Sequence, residues 1–330
     1  MRSRSLYRCS VVIPAYNSSS WIQRALGSVA CQKGVDVEVI VIDDGSTDGT
    51  ADVVRRVCPD AILKQTANHG VSAARNQGFH LSRGDFIQFL DDDDELAPDK
   101  LARQAVALAN SGSDVAYGDW VRMEPRGSVH VPGPTVTRTL TSPEIELFTD
   151  FWSPPAAYLF TREVVQRVGG FSDHLPIIQD ARFVLDCALL GARFEYCPGV
   201  AARYTVRTDS LGNRDPVAFA RDVFRNALEV EQWWRDHGGL DEQRKDALLR
   251  VLSYVARSSF PIDRVLFDDA YEALMRVEPG YLPRHPRYLR LASRALGYRR
   301  AEQVALWYRQ GRSRMLGKQL RWLRRGVGGI

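Results

Sequence analysis

The sequence predicts an α/β fold with a mainly parallel central sheet, followed by a helical C-terminal region. Three observations predict it. Strand-like and helix-like segments alternate strictly from Ser10 to Asn110. Such β-α-β-α order implies parallel strands covered by helices. Polar runs follow three of the strands, and in parallel sheets ligands bind beyond the carboxyl ends of the strands. From about Pro216 onward only helical periodicity remains.

Ser10–Pro14 (SVVIP) reads as a short buried strand, and Ser18–Ser20 offers N-cap hydroxyls for a helix over Trp21–Cys31. Val37–Ile42 (VEVIVI) is β-branched and nearly unbroken, as a strand covered on both faces should be. Thr47 and Asp48 open a helix over Ala51–Cys58, and Ala61–Lys64 is a short strand. Ser72–Leu81 is helical, Phe86–Leu90 (FIQFL) is a buried strand, and Pro98–Asn110 is a helix with an acidic start. Between residues 112 and 212 the pattern gives strands at Val115–Tyr117, Ala157–Phe160 and Arg193–Tyr196. Helices there cover Ser142–Phe151, Glu163–Val168 and Asp180–Leu190. The C-terminal helices are Val217–Arg235, Asp241–Arg257, Arg264–Arg276 and Ala301–Arg325, divided by Gly238–Gly239, Pro261 and Pro279–Pro286.

The chain has 330 residues, 45% hydrophobic and 25% charged, which excludes a disordered protein. No window approaches a membrane span, and the basic N-terminus lacks the apolar stretch of a signal peptide. Five widely spaced cysteines without a CxxC argue against a disulfide framework or a zinc site, and read as a reducing, cytoplasmic setting. The net charge of +4 is uneven: residues 299–325 carry +8 and the remainder −4.

The chemistry concentrates after the strands. Asp91, Asp92, Asp93 and Asp94 follow FIQFL. Four adjacent carboxylates repel, and solvent or a cation must relieve them. A hard divalent cation shared with phosphate fits, and so does a solvated acidic turn. Asp43 and Asp44 follow VEVIVI; the carboxylate of Asp44 can accept the ring N–H of uracil or thymine, or cap the next helix. Pro14, Ala15, Tyr16 and Asn17 follow the first strand, where Tyr16 can stack on a base and Asn17 can turn the chain. Arg75 lies on the first turns of a helix, available to a diphosphate or to a surface salt bridge. Asp180 stands near a helix N-terminus, where an ionised carboxylate is favoured as a general base or as an ordinary cap.

Together these pieces resemble family 2 glycosyltransferases of the GT-A fold, over roughly residues 9–212. The resemblance rests on SVVIPAYN, DDGSTDGT at Asp43–Thr50, GVSAARNQG at Gly70–Gly78, FLDDDDELAPDKL at Phe89–Leu101 and GGF…QDARF at Gly169–Phe183. It implies a nucleotide-binding half (about 1–110), an acceptor-binding half (111–212) and a helical extension (213–330). It implies a nucleotide-diphospho-sugar donor, with Pro14, Ala15 and Tyr16 around the base and Asp44 on the pyrimidine ring. Asp91 and Asp93 match the outer acids of the Asp-X-Asp motif, for Mn²⁺ or Mg²⁺. Asp93 is the direct ligand of choice, Asp91 lies nearer the ribose or diphosphate, and Asp94 extends the motif. Asp180 matches the base of an inverting single displacement. Two departures stand out. Gln179 replaces the usual Glu before the base, and Arg207 stands where many members carry a metal-approaching His; Arg207 cannot ligate a cation and is available to the diphosphate.

Near the end, Leu316, Leu320 and Leu323 share one helical stripe and Arg314, Lys318, Arg321 and Arg325 another. This reads as a basic amphipathic helix within residues 299–325, either packed on the body or lying on an anionic membrane that presents a lipid-linked acceptor. No motif supports nucleic-acid binding. Two other functions are weighed: a metal-dependent nucleotidyltransferase, which lacks its Gly-rich basic loop here, and a non-catalytic nucleotide-sugar or glycan binder, which has no need of Asp180.

Overall fold

The computed structural model describes residues 7–127, 129–207, 214–283 and 286–308. The chain divides into two compact units, residues 1–215 and 216–330. The first unit begins β1 (Arg8–Ala15), α1 (Ile22–Ala30), β2 (Asp36–Asp43), α2 (Thr50–Val57), β3 (Ile62–Gln65), α3 (Val71–Leu81), β4 (Phe86–Phe89). It continues β5 (Glu95–Leu96), α4 (Lys100–Ser111), β6 (Val115–Arg126), β7 (Val129–Val136), α5 (Pro143–Thr149), β8 (Tyr158–Thr161), α6 (Arg162–Val168), α7 (Gln179–Leu189) and β9 (Phe194–Thr205).

Among the described residues these strands form one nine-stranded sheet in the order β3-β2-β1-β4-β8-β6-β9-β5, with β7 on β6. The first four strands are parallel, as alternation with helices dictates. Beyond β4 the sheet is mixed: β8 is antiparallel to β4 and β6, β7 to β6, and β5 to β9, while β6 and β9 run parallel. A short turn suffices to join the antiparallel β6 and β7. The chain leaves β1 toward β2 on one side and returns to β4 on the other. That reversal opens a crevice at the carboxyl end of β1.

Local chemistry explains the packing. Val11, Val12, Ile13, Ile40, Val41 and Ile42 are fully buried, as expected of strands covered on both faces. Gly78 lets α3 lie close on β1: a Cβ there would sit 2.3 Å from Val12 Cγ1. The expected hydroxyl cap of α1 is absent. Trp21 takes the cap position without a side-chain bond, and the Ser18 carbonyl accepts the Trp21 and Ile22 N–H groups instead. Strands β6 and β9 run far past their apolar cores because register shifts around Asp119 absorb Gly118 and the Pro198–Gly199 step. The Asp119 carboxylate accepts the Tyr196 hydroxyl at 2.7 Å and the Gly199 N–H at 3.1 Å across that irregularity.

The second unit is helical: α8 (Pro216–Asp236), α9 (Glu242–Ser259), α10 (Arg264–Val277), α11 (Arg287–Leu296) and a helix over 298–308. Asp241 and Asp263 cap α9 and α10 by accepting the N–H groups of Arg244 and Leu266. Trp234 is fully buried. The sequence pattern does not anticipate α11. Of the basic helix expected at Ala301–Arg325, the portion after Tyr308 lies outside the described residues, with Leu316, Leu320, Leu323, Arg314, Lys318, Arg321 and Arg325. Among the described residues no helix is long and apolar enough to cross a membrane.

Candidate active site

The carboxyl ends of β1, β2 and β4 meet at one edge. Ala15 pairs with Asp43 and Val12 with Phe89, so the segments Tyr16–Ser20, Asp44–Gly49 and Leu90–Asp94 leave the sheet side by side. The first two are stitched together. Asn17 has φ +50°, the one non-glycine residue in the left-handed region among those described. Its N–H donates to Ser46 Oγ and its Oδ1 accepts the Thr47 N–H, both at 2.9 Å. Ser18 and Ser19 donate backbone N–H groups to Thr50 Oγ1 and to the Asp48 carboxylate. The buried Asp44 carboxylate faces the loop before α3, accepting the N–H groups of His69 at 2.9 Å and Gly70 at 2.8 Å and the Thr66 hydroxyl at 3.2 Å. Tyr16 is exposed, and its N–H donates to Asp92 Oδ2 at 3.3 Å.

The four aspartates differ sharply in surroundings. Asp91 pairs with the buried Arg75. Asp92 is pushed up to about 7 by burial and by the Asp93 charge. Asp93 is pushed up to about 6 by burial and Asp91, against the opposing pull of Arg207, whose Nη1 lies 3.3 Å from Asp93 Oδ2. Burial and Asp93 hold Asp94 well above the ordinary carboxylate range. Asp94 is fully buried; its Oδ1 accepts the Thr205 N–H at 2.8 Å, and its Oδ2 has no hydrogen-bond partner. Asp94 is thus removed from solvent, while Asp91, Asp92 and Asp93 are part-exposed in the turn. The guanidinium groups of Arg75 and Arg207 offset part of the repulsion among the four acids, and a divalent cation would relieve the rest and draw the raised carboxyl groups back to their ionised form. The donors are hard oxygens, which suits Mg²⁺ or Mn²⁺. Among the described residues no three such side chains converge as a ready-made cage, so phosphate oxygens and water would complete the coordination.

Arg75 is the junction of the site. Its guanidinium bonds Asp91 on one side and the Gln179 amide oxygen on the other, and lies 5.0 Å over the Phe171 ring. It is buried, so it is not a surface ion pair. Asn76, one residue on, clamps Phe171 with both backbone bonds (2.7 and 2.9 Å), and Phe171 stacks on Phe183 of α7 at 4.2 Å. These contacts set the start of α7, and hence Asp180, against the acid cluster. The cap position of α7 is Ile178, so Asp180 is not a capping residue. Its Oδ2 accepts the Trp152 indole N–H at 3.2 Å. Burial raises its pKa, Arg75 opposes the rise, and the Asp91 charge adds to it.

Residues 10–153 match the family model described as glycosyl transferase family 2. An uncharacterized glycosyltransferase of Nostoc sp. is 31% identical over 173 residues, covering 49% of this chain and 53% of the relative. The chain thus spans about half the length of that relative. A crystal structure of S. aureus TarS 1-349 in complex with UDP-GlcNAc superposes with a TM-score of 0.65, at 21% identity, over 92% of each chain. The mannosyltransferase PcManGT from Pyrobaculum calidifontis, in complex with GDP-Man and Mn²⁺, gives 0.53 at 21% identity, over 97% of this chain and 84% of that one. At these identities the likeness is one of fold, and the fold is GT-A.

Several residues that build the site carried no readable signal in the family 2 sequence pattern. Trp152 lies in a stretch without a motif, yet it bonds Asp180. Trp120 and Tyr204 hold it edge-on, with ring centroids at 5.5 and 5.2 Å. Thr205 ends β9 and ties down the acid cluster twice, through its N–H to Asp94 and its hydroxyl to the Asp93 carbonyl at 2.6 Å. Gln179 reads as a lost charge in the sequence and proves to be an oxygen acceptor for Arg75.

Proposed function

We propose that this chain is an inverting glycosyltransferase that moves a sugar from a UDP- or dTDP-sugar to a hydroxyl of a glycan or lipid-linked acceptor. One observation carries the reading: Asp91 of the acid cluster and Gln179, next to Asp180, grip the same buried arginine, Arg75. A donor diphosphate at the cluster and an acceptor hydroxyl at Asp180 would then be held at a fixed separation, as a single displacement requires. The species bound to the structural neighbours, UDP-GlcNAc in TarS 1-349 and GDP-Man with Mn²⁺ in PcManGT, support the donor class and the cation.

In this reading Tyr16 packs on the base and Asp44, already held by the loop before α3, offers a remaining lone pair to the pyrimidine N–H. Asp93, with Asp91 and diphosphate oxygens, would hold Mn²⁺ or Mg²⁺, which supplies charge stabilisation for the leaving diphosphate. Arg207 stands beside Asp93 as a fixed positive charge near that leaving group. Asp180 accepts the acceptor's hydroxyl proton. The Trp152 indole and the Ala181 N–H orient the carboxylate, which keeps lone pairs for the proton.

The test is a panel of nucleotide sugars and nucleoside triphosphates, with and without Mn²⁺ or Mg²⁺, scored for nucleoside diphosphate and pyrophosphate. Release of UDP or dTDP from the corresponding sugars is expected. Pyrophosphate from triphosphates would instead identify a nucleotidyltransferase.

A further inference from the structure

The second unit presents an apolar surface on helices whose opposite faces are already packed. In α11, Leu289 and Ser293 are buried, and in the helix over 298–308 Tyr298, Ala301, Glu302 and Ala305 are buried. Those faces complete the helical core. An ordinary amphipathic helix turns polar residues outward. Here Leu291 and Trp307 are each 65% exposed, and Tyr288, Val304 and Tyr308 are exposed as well. They form one patch, because Tyr288 and Tyr308 touch across the two helices with ring centroids 5.7 Å apart. Leu291 lies three residues from Tyr288, and Val304 four from Tyr308. Arg287 and Arg294, at i−4 and i+3, flank Leu291, and Arg300 precedes Val304 by one turn; all three are exposed.

We infer that this patch is a membrane-contact surface that seats on anionic lipid headgroups. Trp, Tyr and Leu tips enter the boundary between headgroups and acyl chains, while long arginine side chains keep their charge at the phosphate level. Charge decides between a bilayer and a neutral protein partner. Residues 286–308 contain five arginines, all exposed, against one acid, Glu302, which is fully buried; Arg299 pairs with Asp268, and Arg287, Arg290, Arg294 and Arg300 carry the surplus charge. The surface is independent of any sugar chemistry.

The full chain should co-sediment with vesicles of phosphatidylcholine and phosphatidylglycerol, and much less with phosphatidylcholine alone. Leu291→Ser combined with Trp307→Ser should lower that binding by about tenfold or more, with unchanged circular dichroism. Arg287→Gln with Arg294→Gln, at exposed positions that leave the core intact, should lower it by about tenfold on anionic vesicles only. Equal binding by wild type and both variants would overturn the inference. So would lipid-free self-association that Leu291→Ser with Trp307→Ser abolishes, since a second copy of the chain would then be the occupant.

Discussion

At the residue scale, the site turns on how each carboxylate is held. Asp180 sits where burial raises its pKa, so at neutral pH it is a stronger base than a free aspartate. The Trp152 N–H opposes that rise by stabilising the ionised form. The sign follows directly. With Asp180 as the proposed base, turnover requires its ionised form, so the rate should climb with pH through its raised pKa. Trp152→Phe keeps an aromatic ring and removes the N–H, so the acidic limb of the pH–rate profile should move to higher pH. A profile coincident with wild type would show that Trp152 does not act through Asp180. The four adjacent acids were visible in the sequence, and so was Asp180, because charge at a strand or helix end is a one-dimensional signal. Trp152 and Thr205 were not visible. Their roles depend on contacts with residues 28 and 111 positions away, which no local pattern records.

At the element scale, α3 does most of the positioning. It carries Arg75 and Asn76 on adjacent residues, one reaching Asp91 and Gln179, the other clamping Phe171. The helix can do this only because Gly78 allows its close approach to β1. Gly78→Val should destabilise the first unit by about 1–3 kcal/mol through overpacking against Val12, measured by urea unfolding. An unchanged midpoint would mean that the helix stands off the strand more than the contact implies. The parallel half of the sheet was legible because fully covered strands read as unbroken apolar runs. Strands β5 and β7 were not. One is two residues long, and the other contains Pro132, Gly133 and Pro134, residues that argue against a strand and are tolerated here on a partner's open edge.

At the scale of the whole molecule, the GT-A fold sets the acid cluster and the start of α7 side by side and joins them through the buried guanidinium of Arg75. The helical unit is a separate body with its own core and its own exposed patch, which helix periodicity alone did not reveal because α11 lies among prolines and arginines. The central claim is that Asp180 is the base of a sugar transfer at this edge. Its most direct test compares wild type and Asp180→Asn for both turnover and donor binding, using the nucleotide sugar selected by the panel. The account predicts turnover reduced by about 10²-fold or more with donor affinity nearly unchanged, since the substitution preserves shape and removes only the proton acceptor. Turnover equal to wild type, with the donor still bound, would contradict it.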